Sequence, residues 1–137
     1  MAAPITITLA GVPVGKGRPR FVRSTGRAFT PERTRSYEDS LRLSAQVVMV
    51  GRVPLDGPLS VSIDAAFPVP ESWSKVRRRL ALDGVLRPCV KPDADNLMKV
   101  LDALNQIVWL DDKQIVEASI RKTYSDKPAF TVMIHEV

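Results

Sequence analysis

Leu59-Ser60-Val61-Ser62-Ile63-Asp64-Ala65-Ala66-Phe67 decides the fold. Apolar side chains fall on every second residue from Leu59 to Phe67, the period of a strand that buries one face and shows the other to water. Pro68 and Pro70 end it, since proline has no N–H to give to a sheet ladder. The same alternation recurs in Ile5, Ile7 and Leu9, in Val116, Ala118 and Ile120, and in Phe130, Val132 and Ile134, with Pro128 between the last two. Four half-buried strands need a covering layer, and helical segments supply it. Thr30-Pro31-Glu32 reads as an N-cap, an N1 proline and a first-turn acid. Tyr37, Leu41, Ala45 and Val48 follow at helical spacing until Gly51 and Pro54 stop the run. From Asp95 a second long helix is expected, burying Leu97, Val100, Leu101, Leu104 and Val108 and turning Asp95, Lys99, Asp102 and Gln106 to the opposite side. Ser72 to Leu82 predicts a short helix closed by Asp83-Gly84, and Pro88 and Pro92 make Val85 to Pro92 extended. The fold class is α/β of the α+β layered type: a single mixed β-sheet packed by two main helices, as one domain over residues 1–137.

Composition closes off several function classes. The chain has 137 residues, 45% of them hydrophobic and 26% charged, which suits one folded domain and argues against disorder. No apolar run approaches the ~20 residues that span a bilayer, and the opening residues lack the pattern of a secretory signal, so a cytoplasmic protein with no membrane role is expected. With one cysteine, Cys89, and one histidine, His135, neither an internal disulfide nor a histidine-rich zinc site is available. Any metal must therefore be held by oxygen. Cys89 reads as a small core residue and His135 as a structural strand residue. The P-loop pattern is absent around Gly15-Lys16-Gly17.

The net charge of +5 is unevenly spread. Residues 1–50 carry eight basic and three acidic groups, residues 51–92 seven and four, and residues 93–137 five and eight. Between Lys16 and Arg35 seven cations face only Glu32. Gly11 to Pro19 is too rich in glycine and proline for helix, and in an extended segment Lys16, Arg18 and Arg20 project to one side, a row able to track a phosphate backbone. Ser24-Thr25-Gly26 then marks the turn of a short basic hairpin carrying Arg23 and Arg27. Lys75, Arg77, Arg78 and Arg79 form a second cluster, for which simple solvation is as good an account.

The acidic third carries Asp93-Ala94-Asp95-Asn96 and, one helix later, Asp111-Asp112. Taken singly, each has an ordinary explanation: Asp95 as an N-cap, Asp93 beside the positive end of a helix, Lys99 as an ion-pair partner of Asp95 or Asp102, Asp111-Asp112 as turn residues. A long helix would hold the two groups ~20 Å apart. If they meet, their mutual repulsion calls for a hard divalent cation such as Mg²⁺. Basic surfaces that hold phosphates and carboxylates that hold Mg²⁺ are together the parts of a metal-dependent nuclease.

Lys91-Pro92-Asp93-Ala94-Asp95-Asn96-Leu97-Met98-Lys99, then Leu101-Asp102-Ala103-Leu104 and Trp109-Leu110-Asp111-Asp112-Lys113-Gln114-Ile115, closely resembles the RusA family of Holliday-junction resolvases. Gly15-Lys16-Gly17-Arg18-Pro19-Arg20 with Tyr37 looks like the phage-type branch, so the resemblance spans nearly the whole chain. It implies a homodimeric, Mg²⁺-dependent endonuclease, with Mn²⁺ as substitute, that cuts four-way DNA junctions. By resemblance, Asp93, Asp95 and Asp112 match the metal-binding carboxylates and Lys99 the catalytic lysine, with Asp111 the less certain partner. Lys16, Arg18, Arg20, Arg23, Arg27 and Lys91 are the candidate DNA contacts. A non-catalytic DNA-binding protein and a nuclease for other branched DNA are the alternatives.

Overall fold

The computed structural model describes residues 3–17, 20–21, 23–29 and 31–137. Its sheet is built from β1 (Ile5–Ala10), β4 (Leu59–Phe67), β5 (Ile115–Tyr124) and β6 (Ala129–Glu136), in the order β1-β6-β4-β5. β6 pairs antiparallel with β1 and with β4, which sets Val132 between Ile7 and Ile63. β4 and β5 run parallel with Ile63 opposite Ile120, so the sheet is mixed. All four strands coincide with the alternating stretches of the sequence. A separate ribbon pairs β2 (Arg20–Phe21) with β3 (Ala28–Phe29), the expected basic hairpin.

Among the described residues three α-helices accompany the sheet: α1 (Glu32–Val48), α2 (Lys75–Leu82) and α3 (Ala94–Lys99). α1 packs on β1, and its Leu41 and Ala45 meet Ile7, Leu59, Val61, Ile63, Phe130 and Ile134 in one core. The helix begins one residue later than expected, with Pro31 at its N-cap; Thr30 and Arg18 lie outside the described residues. α2 starts at Ser74, whose side chain accepts from the Arg77 N–H at 3.2 Å, and closes at Asp83 before Gly84 at φ +83°. Cys89 is exposed rather than in the core, because the 85–93 segment runs over the surface without regular structure.

The second helix departs most from expectation. It is not long: six residues of α3 tighten into a 3-10 turn over Val100–Leu104, and the helical path ends at Asn105. Leu97, Val100, Leu101 and Leu104 are buried as the pattern required, but Gln106 leaves the outward stripe for a left-handed conformation at φ +70°. From there the chain doubles back. The Gln106 N–H donates to the Trp109 carbonyl at 2.7 Å, the Leu55 N–H to the Val108 carbonyl at 2.8 Å, and the Leu110 N–H to the Leu55 carbonyl at 3.3 Å. The Trp109 ring is fully buried, and its indole N–H donates to Asn105 Oδ1 at 2.7 Å. Burial of this one ring drives the reversal, because a helix continued past Asn105 would carry it away from the core.

Asn105→Ala leaves a buried indole donor without its acceptor and is expected to cost about 1–3 kcal/mol. Urea unfolding should show a lower midpoint with an unchanged slope. A midpoint equal to that of the unmodified protein would mean that this hydrogen bond does not hold the turn.

Candidate active site

The reversal brings Asp112 back beside Asp102, on the 3-10 turn that follows α3. After Trp109 the chain enters a 3-10 turn, Asp112–Gln114, that leads directly into β5. The Gln114 amide fixes this turn with four hydrogen bonds. Its Oε1 accepts from the Leu110 and Asp111 N–H groups at 2.9 and 3.0 Å, and its Nε2 donates to the Leu55 and Gly57 carbonyls at 2.9 Å each. Asp111 is the other half of the capping box, its Oδ1 accepting from the Lys113 N–H at 2.9 Å. The neighbouring Asp112 has no such structural task. Its side chain is exposed and lies close enough to that of Asp102, on the preceding 3-10 turn, for one carboxyl, when protonated, to hydrogen-bond the other. That hydrogen bond, with burial and the charges of Asp102 and Asp111, pushes the Asp112 carboxyl up to about 6. Two carboxyl groups so placed share a proton more readily than they carry two charges.

Asp102 was assigned to a solvated stripe by its spacing, and its place beside Asp112 is new. The signal was present: it is the one charged residue in the otherwise buried run Val100-Leu101-Asp102-Ala103-Leu104. A second overlooked residue is Glu38, buried on α1. Thr34, Glu38, Leu41 and Ala45 form the core-facing stripe of that helix, so its first two positions put polar groups where apolar ones belong. Both serve the segment before β2. Thr34 Oγ1 accepts from the Gly17 N–H at 3.0 Å, and the Lys16 ammonium lies 3.4 Å from Glu38 Oε2 and 3.2 Å from Asp102 Oδ2. Burial works to lower the Lys16 pKa, but hydrogen bonding to Asp102 and the charges of both acids outweigh it and hold it above the usual lysine value. Lys16 is thus turned towards these two acids; the Arg18 and Arg20 side chains, with which the sequence predicts it to form a row on one side, lie outside the described residues.

Asp93 occupies the N-cap position of α3, yet its side chain makes no capping hydrogen bond. The N-cap expected at Asp95 thus falls two residues earlier, because the helix starts at Ala94, and neither carboxylate is spent on a capping hydrogen bond. Asp95 lies in the first turn, exposed, and pairs with Lys99 at 3.6 Å. The loop leading to Asp93 is held by Lys122 of β5, whose ammonium donates to the Val90 and Pro92 carbonyls. On the other side, the Lys16 N–H donates to the Asn96 carbonyl at 2.9 Å. α3 and the Asp102–Asp112 pair thus flank the same Lys16 segment. Among the described residues, no three acidic, histidine or cysteine side chains are already gathered as a metal cage. The donor set is nevertheless all oxygen, with crowded carboxylates whose repulsion a hard cation would relieve, and Mg²⁺ characteristically keeps several waters and needs only one or two carboxylates.

The other candidates are more dispersed. Arg23 and Arg27 are exposed on the turn between β2 and β3, and Lys91 is exposed two residues before Asp93. The second basic cluster is largely engaged locally: Arg77 stacks 3.8 Å over Trp73, Arg78 pairs with Asp126 at 2.8 Å, and Arg79 lies 3.9 Å from Asp83. Tyr37 packs edge-on against Phe130 in the core. Burial pushes its phenol up to about 12, with the Val14 backbone offsetting part of the shift, so it stays neutral and serves no acid–base role near neutral pH.

Comparison with known proteins accords with this arrangement. Residues 10–135 match the family described as Endodeoxyribonuclease RusA. The chain belongs to this family of DNA-cleaving enzymes. It is also 36% identical over 138 residues to the uncharacterized protein YqaN of Bacillus subtilis (strain 168), an alignment covering 97% of this chain and 96% of that protein. No helix among the described residues is long and apolar enough to cross a membrane.

The raised Asp112 pKa sets a pH dependence. A carboxyl that titrates near 6 when folded and near 3.8 when unfolded contributes stability below about pH 4 that is lost as pH rises through 6. In metal-free buffer, the melting temperature of the unmodified protein is expected to fall relative to that of Asp112→Asn between those limits. Parallel profiles for the two proteins would remove the Asp102–Asp112 coupling.

Proposed function

We propose that the protein is a structure-selective endodeoxyribonuclease that resolves four-way (Holliday) junctions by paired phosphodiester hydrolysis. It acts as a homodimer with Mg²⁺, for which Mn²⁺ substitutes. The observation that carries this reading is the crowded Asp102–Asp112 pair, set beside the α3 segment that bears Asp93, Asp95 and Lys99 in a chain of this family. Asp93, Asp95 and Asp112 would hold the cation, all with side chains on the surface and within reach of DNA. When bound, Mg²⁺ supplies Lewis acidity at the scissile phosphodiester.

The chain's own groups do the rest. Lys99 is exposed and, among the described residues, paired with the exposed Asp95, a pair worth at most about 1 kcal/mol, so its ammonium exchanges readily onto a phosphate oxygen and stabilises the charge that builds there. Arg23, Arg27 and Lys91 offer exposed cations to the DNA backbone; Arg18 and Arg20, whose side chains lie outside the described residues, are further candidate contacts by sequence. A two-fold dimer presents two equivalent sites to the two opposed strands of a junction, which is what paired cleavage requires.

The test is cleavage of a synthetic four-way junction with and without Mg²⁺, beside flap and linear duplex controls, with the assembly state followed by sedimentation. Asp93→Asn, Asp95→Asn and Asp112→Asn should each abolish cleavage while junction binding is kept or tightened. Lys99→Ala should slow single-turnover cleavage by roughly 10²-fold or more with little change in melting temperature. Binding without cleavage in any divalent cation would favour a non-catalytic DNA-binding protein, and flap cleavage exceeding junction cleavage would favour a different branched substrate.

A further inference from the structure

The role of Lys16 goes beyond that reading. This cation is firmly held, since the chain on either side of it cannot move freely. A Cβ on Gly15 would stand 2.5 Å from Pro92 Cβ, and one on Gly17 3.1 Å from Pro31 and Thr34, so both glycines lie pressed against neighbouring elements. The Lys16 N–H is bound to the Asn96 carbonyl and the Gly17 N–H to Thr34 Oγ1. The ammonium then bridges the buried carboxylate of Glu38 and the half-exposed carboxylate of Asp102. A lysine whose only work was to attract DNA would gain nothing from such confinement, because phosphate contacts on a flexible arm need reach rather than fixity.

We propose that Lys16 is a built-in cation of the active site: its ammonium holds Asp102 in place beside Asp112 and fills the position where a second divalent ion would otherwise bind. The inference rests on the proposed metal-dependent cleavage. Nucleases that use two metal ions place a second cation against shared carboxylates. Here a fixed ammonium on Asp102 supplies that charge, leaving Asp93, Asp95 and Asp112 to hold a single ion. Lys16 is in this sense a positioning residue, acting through Asp102, and Glu38 anchors it from the core.

A Mn²⁺ titration followed by electron paramagnetic resonance tests this on the full chain. Lys16→Met should take up one more Mn²⁺ per chain than the unmodified protein, and adding Asp102→Asn should remove the extra ion. Because Lys16→Met strands a buried carboxylate, Lys16→Met/Glu38→Gln provides the same test with a neutral isostere at position 38, and it too should bind the extra ion. Junction cleavage at fixed Mg²⁺ should fall roughly 10²-fold in both, whereas Lys16→Arg should recover part of the loss without gaining an ion. If the unmodified protein binds Mn²⁺ and cuts junctions but the variants keep its stoichiometry, Lys16 is a structural ion pair and this inference alone is overturned. If the unmodified protein binds no Mn²⁺, the metal-dependent reading falls and this inference falls with it.

Discussion

Burial of the Trp109 ring is the constraint on which the acidic end of the molecule depends. To reach the core, the ring must come back over Leu55, and so the helical path that starts at Ala94 tightens at Val100 and stops at Asn105. The left-handed Gln106 and the Asn105–Trp109 hydrogen bond are the local means of that reversal. Its consequence is chemical. Had the helix run on, Asp112 would have been carried to its far end; instead it meets Asp102, and the following strand β5 starts at once from the Gln114 clamp.

A different tension organises the N-terminal side. Acidic groups gathered from α1, from the turn after α3 and from the turn before β5 would repel one another strongly if left alone. The protein meets this in two ways. Asp112 is held in a state that favours its proton, and Lys16 is clamped between Glu38 and Asp102. The basic composition of the first third is therefore not all turned outward: Lys16 serves as internal counter-charge, while Arg23 and Arg27 remain on the outside.

Much of this was legible in the sequence where one physical signal dominated. The positions of the four strands follow from apolar alternation, and in β1, β4, β6, α1 and the Leu97–Leu104 segment burial and local periodicity point the same way; β5 departs from this, with Val116 and Ala118 of its expected inner face exposed. The extent of the second helix was not legible. Val100 to Val108 carries a helical pattern of apolar residues, and only tertiary burial of Trp109 decides that the pattern is cut short. Asp93, Asp95, Lys99 and Asp112 came from motif resemblance. Asp102 lay within the Leu101-Asp102-Ala103-Leu104 part of that motif but was given no role, and Glu38 lay outside it, since the setting of each is defined by the docking of Lys16 across 86 and 22 residues of chain, a relation that no local window contains. Glu38 was nonetheless marked by a polar residue at a core position, and such exceptions are worth reading as site candidates.

In the proposed site, Asp112 and the carboxylates at the start of α3 would together hold one divalent ion. Anomalous diffraction from crystals grown with Mn²⁺ addresses it directly. A single peak per chain, within about 2.0–2.2 Å of Asp112 and of Asp93 or Asp95 oxygens, is the predicted result. A peak ligated elsewhere, or none at saturating Mn²⁺, would contradict it.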